Sequence, residues 1–218
     1  MNDLRTENYW RKTDLYFHVN EIREQFHITT YPINFRSLIA HELDYIRISI
    51  IDFSSEVICA ILSRKGKLAC IGLNSLRNSI QQNFDCGHEL LHYFFHPNMG
   101  QMLICGDMLS SPNTYAEWQA NEGTSELLMP YKLFVPMVSE ILFNPYSSDA
   151  FFEDRFAHER LQRKFGVSKA MIDIRINSLS YEIAQYQQNV GIDEIQLLSR
   201  REQQHLNIKV PTYNLASH

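Results

Sequence analysis

The segment Phe84-Asp85-Cys86-Gly87-His88-Glu89-Leu90-Leu91-His92-Tyr93-Phe94-Phe95 sets two histidines four positions apart in an apolar frame. Residues four apart are neighbours on a helix, with about 5–6 Å between Cβ atoms, so both imidazoles lie on one face and can share an ion. HExxH in a helix is the arrangement of a hydrolytic zinc site, where zinc takes three protein ligands and keeps a fourth position for water. Zinc brings the pKa of such a water towards ~7, and the adjacent carboxylate of Glu89 can then take its proton. An earlier stretch, His41-Glu42-Leu43-Asp44-Tyr45, begins the same way but has tyrosine at the place of the second histidine. That copy is read as inert.

The third ligand has to come from elsewhere. His96 is two turns from His88 and fits a tetrahedral site poorly, so it is read as a helix-end or supporting histidine. Downstream acidic candidates are Asp107, Glu117, Glu122 and Glu126. Glu117 lies on an expected helix with Asn121 one turn later, yet Thr114-x-x-Glu117 also reads as a capping box with a purely structural role. Spacing alone puts Glu117 only modestly ahead of Glu122. Between Arg77 and Lys132 there is no Lys or Arg, while acidic residues recur, which favours a cation. Solvated surface carboxylates account for at least half of those acids.

The rest of the chain supplies a core and little sign of a charged partner. It has 218 residues, 44% of them hydrophobic, and a net charge of -5, which argues against a general binder of nucleic acid or anionic membrane. No apolar run reaches the roughly 18 residues of a membrane span, and the N-terminus lacks a hydrophobic signal core. A cytoplasmic protein is expected. The four cysteines form no CxxC; Cys59 and Cys70 are conceivable partners across a hairpin, but in a reducing compartment they read as small buried hydrophobes.

Periodicity predicts an amphipathic helix over 8–27, carrying Trp10, Leu15, Phe17, Val19, Ile22 and Phe26 on one broad face. A short helix over 35–43 and a strand over 45–51 follow, then a hairpin of 57–62 and 68–73 around Arg64-Lys65-Gly66-Lys67. Ser79 and Gln82 have capping-box spacing, so the HExxH helix is expected to run from there to His96, before Pro97. A loop containing the apolar run Met102 to Cys105 leads to Pro112, which opens a helix ending at Pro130. From residue 151 the pattern is helical again, and Gly166-Val167-Ser168 between two apolar-periodic stretches has the layout of a helix-turn-helix. Residues 199–218 are polar and read as a weakly ordered tail.

Phe84, His88-Glu89-Leu90-x-His92-Tyr93, Glu117-x-x-Ala120-Asn121 and Glu126-Leu127-Leu128-Met129-Pro130, at this separation, resemble the ImmA/IrrE family of zinc metallopeptidases. The resemblance spans roughly residues 20 to 180. It implies that His88, His92 and Glu117 bind Zn2+ and that Glu89 is the catalytic base. It implies an α+β fold: a small zincin-like metallopeptidase core over 1–150, in which a short β-sheet accompanies the HExxH helix, then a helix-turn-helix-like subdomain over 151–198 and the tail. The chain departs from the family's usual Thr-x-Ala before HExxH, having Asp85-Cys86-Gly87, and from its usual Phe-Ala after ExxAN, having Gly123-Thr124. Glycine inside a helix costs about 1 kcal/mol against alanine.

The expected function is therefore zinc-dependent cleavage of a regulatory protein. Since family members cleave or otherwise inactivate helix-turn-helix repressors, the resemblance implies such a repressor, from a mobile element or a stress response, as partner. The alternative is a non-catalytic zinc-containing regulator that binds a repressor, a toxin partner or DNA. Residues 153–181 hold six basic against four acidic side chains, a surplus too small for strong phosphate binding. A structural or repressor-docking role is favoured over DNA binding for that segment, and the intact Glu89 favours the enzyme.

Overall fold

Four strands rich in apolar and β-branched residues form one sheet: β1 (Ile46–Ile51), β2 (Ile58–Lys65), β3 (Leu68–Asn74) and β4 (Met102–Gly106). Their order is β1-β3-β2-β4, with β1 parallel to β3 and the β2 pairings antiparallel. Ile71 is the registration point, opposite Ile48 on one side and Leu62 on the other. Gly66, at φ +62°, takes the left-handed conformation that lets β2 turn directly into β3. In that register Cys70 faces Ser63, not Cys59, and all four cysteines are free thiols. The structure is a computed structural model that describes residues 10–106, 115–142 and 150–210.

The sheet belongs to a compact unit of residues 22–127. In it α2 (Phe35–Glu42) and α3 (Ser79–Phe95) pack together, and α3 lies on β2 and β3. The shared core includes Phe35, Leu62, Ile71, Leu73, Leu90 and Leu91, all fully buried. α3 begins at Ser79 as read, but its cap is Asn78, one residue before the expected Ser79. Asn78 Oδ1 accepts from the amides of Ile80 and Gln81, and Gln81 Oε1 accepts from the Asn78 amide in return. Gln82 is used elsewhere, donating to the Asn74 carbonyl at 2.7 Å and pairing with Arg36. At the other end Arg64, from β2, donates to the carbonyls of His92 and His96, supplying a cation where the helix dipole is negative.

β4 corrects the expectation of a loop over Met102 to Cys105. Its five residues pair with β2, and a register shift between Ile58 and Ala60 leaves an extra β2 residue opposite Cys105–Gly106. Met102 and Ile104 are exposed while Cys105 is buried. Next, α4 (Tyr115–Leu128) runs without a break through Gly123. Pro112, Thr114 and Asp107 lie outside the described residues.

The second unit comprises residues to 21 and from 128 onwards. It holds most of α1 (Lys12–Gln25), then α5 (Tyr131–Leu142), α6 (Ala150–Phe165), α7 (Lys169–Ser178), α8 (Ser180–Gln187) and α9 (Arg200–His205). In α1, Leu15, Val19 and Ile22 form one buried stripe, with Phe26 buried just beyond its end, whereas Phe17 is off that stripe and exposed. Between α6 and α7, Gly166 has a positive φ and Ser168 Oγ accepts from the Met171 amide, giving the helix, glycine turn, serine cap and helix read from sequence. Met171, Ile172 and Ile176 are packed and Ile174 is exposed. Arg175 is buried: it donates to the Met129 carbonyl at 3.1–3.2 Å and to the Tyr16 hydroxyl at 2.9 Å. The segment read as a tail opens with α9, capped reciprocally by Ser199 and Glu202. Among the described residues no helix is long and apolar enough to cross a membrane.

Candidate metal centre

The periodicity of α3 delivers His88 and His92 to one face, and their Nε2 atoms stand 3.0 Å apart. From α4, Glu117 reaches both: Oε2 is 3.3 Å from His88 Nε2 and Oε1 is 3.3 Å from His92 Nε2. Cys105, on β4, completes a group of four ligand-type side chains whose donor atoms all lie within 4.8 Å of one another. Every member lies in the unit of residues 22–127. The structure thus brings together His88, His92 and Glu117. Of the other acidic candidates, Glu126 is buried beside Arg23, at 3.8 Å, and Glu122 is buried outside the cluster.

The residues behind the cluster fix which imidazole nitrogen carries hydrogen. Gln119 Oε1 lies 2.7 Å from His96 Nε2 and can only accept, so that nitrogen carries the hydrogen. In neutral His96, Nδ1 is then the bare acceptor, and His92 Nδ1, 3.0 Å away, must donate to it. His92 Nε2 is left with a free lone pair pointing at Glu117. On His88 the same result comes in one step, because Asn121 Oδ1 lies 3.0 Å from Nδ1. Both Nε2 lone pairs are therefore available at the same place, with their second nitrogens held as they are around zinc-ligating histidines.

A tetrahedral zinc with bonds of 2.0–2.1 Å to nitrogen or oxygen requires donor separations of about 3.3–3.4 Å. The observed separations of 3.0, 3.3 and 3.3 Å fit that geometry within a small adjustment. Protonation fits as well. Burial, reinforced by the charge of His88, pushes His92 down to about 4, so it is neutral at pH 7. Glu117 is held well below the ordinary carboxylate range, because the hydrogen bonds and charges of the two histidines outweigh its burial. For His88, burial favours the neutral ring, but the contact with Glu117 and the charge of Glu89 outweigh it and raise the pKa. A proton on His88 Nε2 would have to leave on metal binding.

Glu89 is fully buried, and neither of its oxygens finds a well-formed hydrogen bond among the described residues. Burial pushes it up to about 7, an effect that the His88 charge and the Cys105 thiol beside it partly offset. A carboxyl group near neutrality can both take and return a proton. Glu117 is 29% exposed while His92 is wholly buried, so the cluster opens on its Glu117 side. Cys105 and Gln119 escaped the sequence reading. No spacing rule links a strand cysteine or a lone glutamine to HExxH, and Cys105 sits in a run that had passed for loop.

A family model described as the IrrE N-terminal-like domain, peptidase family M78, matches residues 46–177, which takes in every member of the cluster. Among solved structures, a Mycobacterium tuberculosis transcriptional regulator is similar with a TM-score of 0.48 and 14% identity, over 79% of this chain and 48% of that one. The chain spans about half the length of that regulator. Comparison with curated protein sequences gives no match.

Proposed function

The chain belongs to the IrrE N-terminal-like family of M78 peptidases, and from that premise we propose that it is a zinc-dependent endopeptidase acting on a regulatory protein. The observation that carries the reading is the convergence of both histidine Nε2 atoms and the Glu117 carboxylate at about 3 Å, each imidazole oriented by its own partner. In this reading His88, His92 and Glu117 hold Zn2+, and sheet and α3 form a zincin-like core.

Zinc held by these residues would supply a Lewis acid for the scissile carbonyl and for the attacking water. Glu89 accepts the proton of the attacking water on its carboxylate and passes it to the nitrogen of the leaving amine. Its burial suits this double duty, since it holds the group near the pH at which it works. Asn121 and the Gln119–His96 pair orient the imidazoles and take no proton in the reaction.

The substrate proposed is a helix-turn-helix transcriptional repressor of a mobile element or stress response, in the cytoplasm. This follows from the resemblance of the three motifs and from family membership. The helices of residues 151–198 are assigned to docking a protein rather than to DNA. Arg175, one of the six cations counted there, is buried against a carbonyl and a tyrosine, and Lys169 is paired with Asp173, which leaves little free positive charge. Co-expression with a candidate repressor tests the proposal. Glu89→Gln should keep the metal and abolish cleavage; cleavage at the wild-type rate in that variant would exclude Glu89 as base. An uncut repressor held tightly by both forms would favour the non-catalytic regulator.

A further inference from the structure

We propose that Cys105 is a fourth protein ligand of this metal site, so that the resting centre is His88, His92, Glu117 and Cys105. The inference rests on the metal-site reading above and goes beyond it. Sγ of Cys105 lies within 4.8 Å of the ligand atoms of His88, His92 and Glu117. A tetrahedral zinc with a thiolate at about 2.3 Å and nitrogens at 2.0–2.1 Å needs sulfur–nitrogen separations of about 3.5–3.6 Å.

Three further observations aim the sulfur inward. Cys105 is buried while its neighbours Met102 and Ile104 on β4 are exposed, so strand alternation turns it to the α3 side. The extra residue of β2, Cys59, falls opposite Cys105–Gly106 and raises the local twist of the strand pair where β4 passes the site. Glu89, fully buried and with no well-formed hydrogen bond among the described residues, faces the same sulfur, so the pocket between them is polar. A small hydrophobe, the ordinary role of a buried cysteine, has no use for that company.

Ligation breaks the S–H bond, forms a bond from Sγ to the metal and releases the proton to solvent. Four protein ligands make a closed centre with no position for water. The resting protein is then latent, and hydrolysis waits until Cys105 swings off the metal. A substrate backbone laid along the β4 edge would do this, the sulfur taking a proton back from solvent as its bond to the metal breaks.

The test uses the full-length protein loaded with Co2+ in place of zinc. Wild type is expected to bind one Co2+ with the visible d–d bands of a tetrahedral site and an intense thiolate-to-cobalt charge-transfer band in the near ultraviolet. Cys105→Ala should keep the one-to-one d–d spectrum and lose the charge-transfer band. Zinc-loaded Cys105→Ala should also cleave its repressor faster than wild type. Stoichiometric cobalt without the charge-transfer band in wild type would overturn the inference and leave the three-ligand site standing. A band that persists in Cys105→Ala would overturn it too. Failure of wild type to bind Co2+ at all would overturn both. Because the wild-type spectrum alone decides the first point, the test survives misfolding of the variant.

Discussion

Gly87, the residue before the first histidine, is predicted to be a site where alanine destabilises a helix. In an open helix interior Gly→Ala gains about 1 kcal/mol from propensity. Here a Cβ on Gly87 would fall 2.4 Å from Phe35 Cε2, 2.8 Å from Cζ and 2.9 Å from Cδ2. Three atoms of one ring edge stand inside any normal contact distance, and the ring belongs to a fully buried side chain that cannot swing into solvent. Overpacking of this kind costs typically about 1–3 kcal/mol, and the depth of the overlap puts it at the upper end. The net expectation for Gly87→Ala is a loss of about 2 kcal/mol, or a fall in Tm of roughly 4–8 °C for a chain of this size. Urea unfolding followed by circular dichroism reads it. A cycle with Phe35→Leu isolates the cause: truncating the ring should cost less in the Gly87→Ala background than in wild type. A neutral or stabilising Gly87→Ala, or additive costs in the cycle, would refute the packing argument. The usual family alanine before HExxH is thus replaced by glycine where α2 presses a phenylalanine onto α3.

Two other outcomes follow from the same site. Glu89 is raised from 4.5 to about 7 in the folded chain, so in chelator-treated protein it is neutral and costs nothing below about pH 4.5, while above about 7 it is ionised in both states and its burial opposes folding. The shift corresponds to about 3 kcal/mol. Metal-free Glu89→Gln should therefore gain on wild type by up to about that much between pH 4.5 and 8 in denaturant melts, and a pH-independent gap would contradict the assigned cause. Gln119→Leu should weaken metal binding about 10–100-fold with little change in fold, because it unpins the His96 hydrogen and through it the His92 lone pair. An unchanged affinity in a chelator competition would remove Gln119 from the site.

What the sequence revealed depended on whether a signal was local. HExxH, the hairpin around Gly66 and the glycine turn at Gly166 are set by neighbours in the chain, and the structure has them where periodicity places them. β4 went unread because five residues bounded by Asn, Gly and Ser resemble a loop until β2 pairs with them. α5 went unread because Pro130 precedes it and Pro136 sits inside it; its fully buried Phe134, Val135 and Val138 outweigh the lost hydrogen bond. Asn78 displaced Ser79 as cap since Gln81, not Gln82, returns the bond. At the site, one helix encoded the two histidines, and Glu117 came within reach through its resemblance to ExxAN. Cys105 and Gln119 could not be foreseen, because their relation to α3 exists only once β4 and α4 are packed.

The most direct measurement is the metal content of purified protein by elemental mass spectrometry, wild type beside Glu117→Ala. The account predicts one zinc per wild-type chain, retained through dialysis, and a large loss in the variant with its helical spectrum preserved. Wild-type protein that binds no stoichiometric divalent metal even when zinc is supplied, or a Glu117→Ala that binds it equally well, would contradict it.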